Sequence, residues 1–227
     1  MTADIEALTA RLSRTLGGTD ALLGSPGLWR PMLTLLARGE PVSHEALAAA
    51  SGHTVEHARA RVGAQPDTEY DEAGDIIGYG ITLRPTPHRF EVDGRTLHTW
   101  CALDTLMFPS VIGRTARVAS PCRTTGRPVR VEVEPDRVTG LDPAGAVVSV
   151  LSPDECGSVR SSFCDHVHFF ASHEAARPWL QDHADATVLN VAEAAVLGRR
   201  LAAAMTAGPD CSGPRESSAY ESSDDTS

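Results

Sequence analysis

The sharpest constraint on the fold is a change of hydrophobic period part-way along the chain. Residues 1 to 66 place apolar side chains at helical spacing: an amphipathic run from Ala3 to Leu16, a second from Leu28 to Ala37, then two short helices parted by Ser51-Gly52. Ser43 and Thr54 stand where helix N-caps belong, because a hydroxyl there can accept from the free N–H groups of a first turn. From Thr68 the period falls to two. Thr68-Glu-Tyr70, the turn Asp71-Glu-Ala-Gly-Asp75 and the strand-like Ile76 to Leu83 complete a helix, turn, helix, hairpin order, the outline of a winged helix.

The strand period then persists. Asp93-Gly94 joins Phe90-Glu-Val92 to Arg95-Thr-Leu-His-Thr99, a strong hairpin signal because both turn positions tolerate positive φ. Further candidate strands are Thr115 to Ser120, Pro128 to Val133, Ala146 to Leu151 and His166 to Phe170, with a turn at Thr125-Gly126. Strand follows strand without alternating helices, which predicts an antiparallel or mixed sheet and not a run of βαβ units. Helices over Ser172 to His183 and Val191 to Met205 close the pattern, the second opened by Asn190 and Glu193 at capping-box spacing. The fold class is α+β. A helical winged-helix-like scaffold region spans 1–84, an antiparallel or mixed β-sheet region with C-terminal helices spans 85–207, and an acidic tail over 208–227 holds too few large apolar residues to order itself.

Composition removes several functions. With 227 residues, 41% of them apolar, the chain can bury a core without staples. A net charge of −10 argues against nucleic acid or an anionic membrane as partner. Six arginines balance six acidic residues within 1–66, so the winged-helix-like region reads as scaffold more than as a DNA reader. All 20 basic residues are arginine, which excludes a Schiff-base lysine and a phosphate-loop lysine. No apolar run is long enough to cross a bilayer, and the acidic start Met-Thr-Ala-Asp-Ile-Glu is unlike a signal peptide; a cytoplasmic protein is expected. In that compartment five cysteines at irregular spacing, 101, 122, 156, 164 and 211, are thiols for metal or catalysis and not a disulfide framework.

The chemistry concentrates in two blocks. In Trp100-Cys-Ala-Leu-Asp-Thr-Leu-Met-Phe-Pro109, Pro109 limits the segment Trp100 to Met107 to a short helical turn, on which Cys101 and Asp104 share a face at i and i+3. Taken alone, Cys-x-x-Asp is more often a buried thiol beside a capping carboxylate. The second block is Ser162-Phe-Cys-Asp-His-Val-His-Phe-Phe170. A strand running back through 164 would put Cys164, His166 and His168 on one face. That face could hold satisfied histidines, or three zinc ligands completed by Cys101 or Cys122, although no close Cys-x-x-Cys pair supports zinc. Cys122 has no acid or histidine near it in sequence and reads as structural, while Cys156 in a loop and Cys211 in the tail read as bystanders.

At these blocks the chain resembles the organomercurial lyases, the alkylmercury lyase family. The matching stretches are Gly39-Glu-Pro-Val-Ser43, Thr68-Glu-Tyr-Asp71, Asp75-Ile-Ile-Gly-Tyr-Gly80, Trp100 to Leu106, Ile112-Gly-Arg-Thr-Ala-Arg-Val118 and Phe163 to Ser172, together covering roughly residues 30 to 205. The resemblance implies cleavage of a carbon–mercury bond by protonolysis, giving a hydrocarbon and mercuric ion for mercury detoxification. It places the catalytic Cys, Asp and Cys on Cys101, Asp104 and Cys164, which hold mercury transiently as substrate and product. It also makes 85–207 the catalytic region and the winged-helix-like part scaffold. It implies no cofactor, and as partners an organomercurial, low-molecular-weight thiols and a mercuric reductase accepting the ion. Two departures stand out: well-known members carry a further Cys where this chain has Asp165, and they lack the acidic tail.

These residue types suit that reaction. A carbon leaving mercury is too basic to depart as a carbanion, so a proton must arrive as the bond lengthens. Two thiolates on mercury push electron density toward carbon better than one. An ordinary Asp, with a pKa of about 3.9, is protonated in roughly one molecule in a thousand at pH 7. Asp104 is therefore expected to begin as a carboxylate, take a proton from a ligating thiol and pass it to carbon, with Trp100, Phe108 and the Phe163/Phe169 region as apolar walls. The competing reading is a thiol and imidazole metal-binding transcriptional regulator that uses its helix-turn-helix on DNA. A Cys-His hydrolase has no recognisable nucleophile motif here.

Overall fold

The computed structural model describes residues 4–16, 27–151 and 158–206. Cys156, Cys211 and the acidic tail lie outside them. Helix α1 (Ile5–Leu16) turns Leu8, Leu12 and Leu16 inward, and α2 (Trp29–Leu36) buries Trp29, Met32, Leu33, Leu35 and Leu36. Helices α3 (His44–Ser51) and α4 (Val55–Gly63) begin at the two expected caps, where the Ser43 side chain accepts from the Ala46 N–H and Thr54 from that of His57. Gly52, at φ 72°, ends α3 in the left-handed conformation that costs glycine least.

Strands β1 (Glu69–Tyr70) and β2 (Ile76–Tyr79) form the wing. The continuous strand expected over Ile76 to Leu83 is broken at Gly80, where φ is 79°, so a separate β3 (Ile81–Thr82) follows. Alternation of side chains could not reveal that break, because a glycine adds nothing to a hydrophobic pattern. The reason for it is tertiary: a Cβ on Gly80 would lie 2.6 Å from the Phe108 ring.

The wing is part of a larger sheet. Strands β4 (His88–Val92) and β5 (Arg95–Thr99) form the Asp93-Gly94 hairpin, and β6 (Ala116–Pro121), β7 (Pro128–Val133) and β8 (Val138–Asp142) extend it to eight strands in the order β1-β2-β3-β5-β4-β6-β7-β8. Every pairing in it is antiparallel. A second sheet of three strands sets β9 (Val147–Leu151) between β10 (Phe169–Phe170) and β11 (Ala186–Asn190). No strand was expected over Val138 to Asp142 or Ala186 to Asn190. Gly140 and Pro143 blur the first, and the second runs straight into a helix cap at Asn190.

Helix α5 (Ala102–Ile112) departs most from expectation. It is an 11-residue helix that continues through Pro109, not a short turn ended by it. Proline inside a helix costs about 3 kcal/mol. Every residue of α5 except Ser110 is buried, however, and each large apolar side chain so buried returns roughly 1.5–3 kcal/mol. A helix apolar on all sides belongs in a core. Here it packs against α2, the sheet and α8 (Val191–Thr206), where Gly198 allows an approach so close that a Cβ would meet the Met107 backbone at 3.2 Å. Short α6 (Val159–Ser162) and α7 (His173–Gln181) complete the chain, and α8 opens with the expected box, Asn190 Oδ1 accepting from Glu193 N–H at 2.8 Å. Among the described residues no helix is long and apolar enough to cross a membrane.

Candidate active site

Cys101 is the N-cap of α5, with extended backbone at φ −142° and ψ 172°. Asp104 occupies the third helical position, and its Oδ2 accepts from the Cys101 N–H at 3.1 Å, forming a capping box with the cysteine in the place usually held by serine. The helix start is tied on both sides. Thr99 donates its hydroxyl to the Cys101 carbonyl at 3.0 Å, and the Ala102 N–H reaches the Val167 carbonyl at 3.1 Å. That second bond brings in the other block. Residues Cys164–His166 form a 3₁₀ turn, not a strand, and only Phe169–Phe170 pair in the sheet. The turn is pinned by buried Ser149, whose Oγ donates to the His166 carbonyl and accepts from the His168 N–H, each at 2.9 Å.

One sulfur from Cys101, one from Cys164 and a carboxylate oxygen of Asp104 thus lie within 4.8 Å of one another, all buried. Among the described residues this ligand cluster contains no histidine. The strand face of Cys164, His166 and His168 does not form, because the turn at 164 destroys its alternation, and the zinc reading falls with it. His168 lies instead near His88, whose Nδ1 is 3.0 Å from Ser120 Oγ; burial depresses both imidazoles, to about 4 and about 3, so both are neutral.

Burial governs the site's proton affinities. Desolvation lifts the Asp104 carboxyl to about 7, against opposing hydrogen bonds from the Cys101 thiol and the Cys101 and Trp100 backbone. The expectation of a fully ionised Asp at neutral pH is corrected accordingly, since a carboxyl of that pKa is about half protonated there. Burial also raises the Cys101 thiol. Cys164 is pushed well above the ordinary thiol range, first by its hydrogen bond to the Cys101 sulfur and then by burial.

Two cavities meet at this cluster. An apolar one of about 40 Å³ is walled by Trp100, Leu103, Met107, Phe108 and Phe163, with Asp104 and Cys164 reaching into it. Phe169, also expected as a wall, is not part of it and packs against the His88 ring at 6.4 Å between centroids. A polar cavity of about 400 Å³ is lined by His88, Cys122, Arg123, Asp165 and His168. Trp100 and Cys164 border both. Sequence reasoning missed Ser149 and Glu69: Ser149 sits unsignalled in the apolar strand Val147-Val-Ser-Val-Leu151, and Glu69 appears only within a matching stretch. Glu69 is buried, and Trp100 Nε1 donates to its Oε1 at 3.0 Å.

Two soft thiols and a near-neutral carboxyl, all buried, form a candidate site for a thiophilic metal whose binding would displace a proton. The family model described as alkylmercury lyase matches residues 81–203, and that described as the helix-turn-helix domain of alkylmercury lyase matches residues 7–80. An alkylmercury lyase of Streptomyces lividans is 51% identical over 214 residues, which span 93% of this chain and 100% of that one. One of Staphylococcus epidermidis is 51% identical over 88% of this chain and 92% of its own, and one of Pseudomonas putida is 50% identical over 77% and 82%. A crystal structure of the mercury-bound form of MerB2 shares the fold, with a TM-score of 0.71 and 21% identity over 89% of this chain and 98% of that one. The chain belongs to the alkylmercury lyase family.

Proposed function

We propose that the protein cleaves the carbon–mercury bond of organomercurials by protonolysis, releasing a hydrocarbon and leaving mercuric ion on Cys101 and Cys164. The observation that carries this reading is the enclosed triad, two sulfurs and a carboxylate oxygen within 4.8 Å of one another. Neither thiol ionises readily by itself at neutral pH, since burial raises both. Binding of mercury supplies the driving force, because a sulfur–mercury bond forms only as the S–H proton leaves. Cys101 gives its proton to the Asp104 carboxylate beside it, and Cys164 follows as second ligand, its proton leaving on the small thiolate that mercury sheds as the second sulfur binds. Two thiolates on mercury raise the electron density on carbon. Asp104, now a carboxylic acid of near-neutral pKa, donates to that carbon as the bond breaks.

The apolar cavity takes the organic group. At about 40 Å³ it accepts little more than a methyl group, so an aryl group, which needs roughly 150 Å³, requires its walls to move. The polar cavity on the other side of Cys164 is the route by which a small thiol reaches the product. In this reading the N-terminal helices are scaffold and the process is mercury detoxification. Headspace analysis after incubation with methylmercury and excess thiol tests the assignment. Methane should form with the wild type and not with Cys101→Ser or Cys164→Ser, and no methane from the wild type rejects it.

A further inference from the structure

The wing contributes a buried acid to the active site. Glu69 in β1 is only 8% exposed, and its two oxygens are fully engaged. Oε1 accepts from Trp100 Nε1 at 3.0 Å and pairs with the Arg160 guanidinium, while Oε2 accepts from the Thr82 hydroxyl at 2.5 Å. Trp100 immediately precedes Cys101, and Arg160 lies on α6, four residues before Cys164. The same guanidinium sits 5.3 Å from the centre of the Trp100 ring. Neighbouring Asp67 holds the start of α6, accepting from the Ser158 hydroxyl at 2.6 Å and from the Arg160 N–H at 3.2 Å.

The sheet is shaped around this acid. Gly78 faces Glu69 across the β1–β2 pair, and a Cβ there would lie 2.6 Å from Glu69 Oε2 and 2.8 Å from Thr82 Oγ1. Two residues on, the Gly80 carbonyl accepts from the Trp100 N–H at 3.0 Å. A buried carboxylate is costly unless paired and hydrogen-bonded, and here the partners are Trp100 just before Cys101, Arg160 just ahead of Cys164 and Thr82 of β3. The backbone link from Ala102 to Val167 ties the far side of the Cys164 turn, so Glu69 and that link hold it from opposite ends.

We propose that Glu69 is a positioning residue for the lyase reaction: it fixes the separation of Cys101 and Cys164, and so delivers the second thiolate to a mercury already held by the first. The proposal rests on the reading of the site as a lyase. It assigns the helix-turn-helix region a part in catalysis through its wing, without contact with substrate. An organomercurial needs one thiol to bind and two to be activated, so the loss belongs on kcat and not on KM.

Glu69→Gln keeps the volume and a carbonyl for Trp100 but loses the charge that holds Arg160. Arg160→Gln removes the same pair from its more exposed end, where the side chain is 39% accessible and folding is at less risk. Each variant, in the full-length chain with its urea midpoint measured alongside, should lose kcat for phenylmercury on the order of 10²-fold with KM changed no more than a few-fold, the scale that an ångström of misplacement carries. Each should also bind one equivalent of mercuric ion more weakly, read from the ultraviolet sulfur-to-mercury charge-transfer band in competition with a monothiol. A kcat within twofold of wild type in either folded variant overturns the proposal. A wild type without activity would reject the lyase reading instead, and unchanged mercuric-ion affinity in both variants would then overturn the positioning role independently.

Discussion

Cys101 and Cys122 are both buried free thiols, about twenty residues apart, and their surroundings push them in opposite directions. Cys101 sits at the start of an apolar helix, where burial raises its pKa. Cys122 sits in a turn where burial also opposes ionisation, but the Thr124 and Thr125 hydroxyls and the N–H groups of Ala171 and Thr125 outweigh it and bring the thiol down to about 7. The better thiolate is therefore not the one in the ligand cluster. The two thiols of the cluster are held protonated by burial, and in the proposed reaction they ionise only as a metal takes them, with Asp104 retaining the proton beside the reacting carbon.

The largest expected effect separates the two environments outright. Cys101→Ser and Cys164→Ser should bring hydrocarbon release to background, whereas Cys122→Ser should keep it within a few-fold of wild type. A Cys122 variant as inactive as the other two, yet stably folded, would break the comparison. The next effect concerns Asp104 and stability. Its carboxyl moves from an ordinary 3.8 to about 7 on folding, so between these values the native state holds a proton that the unfolded state has lost. Stability from this group is complete below about pH 4 and is lost as pH rises to 7, with a ceiling of roughly 4 kcal/mol. Asp104→Asn, whose amide oxygen can still accept from the Cys101 N–H, should leave urea stability near wild type at pH 4 and exceed it at pH 8. Equal pH profiles for the two proteins would mean that the carboxyl is not held in a desolvated site.

A smaller effect sharpens the Cys122 side. Thr124→Val deletes a hydroxyl 3.5 Å from the Cys122 sulfur and should raise the pH midpoint of its alkylation by several tenths of a unit. Peptide mapping would show whether the midpoints for Cys101 and Cys164 stay above the ordinary thiol range, as their burial requires.

What could be read from the sequence was what local chemistry decides. Ser43, Thr54, the Asp93-Gly94 turn and the Asn190/Glu193 box all act within four residues, and each is found where its chemistry places it. Cys101, Asp104 and Cys164 were marked as candidates through the family resemblance, and the fold brings all three together. What escaped was settled by contacts distant in sequence. Pro109 marks a helix end unless the whole helix is buried, and the turn at Cys164 depends on Ser149 in another strand. The Asp104 pKa belongs to the same class, because an aspartate in a sequence carries no record of how little water will reach it. Glu69 is a further case: its role appears only once a wing strand, a tryptophan and a distant arginine meet around one carboxylate.

In the proposed reaction Asp104 carries the proton from thiol to carbon. The most direct test is a single-turnover experiment with one equivalent of phenylmercury on Asp104→Asn, following thiol occupancy and benzene together. Both thiols should remain able to engage mercury while benzene release falls by about 10²–10⁴-fold, the range a positioned general acid supplies. Benzene released at the wild-type rate would contradict it.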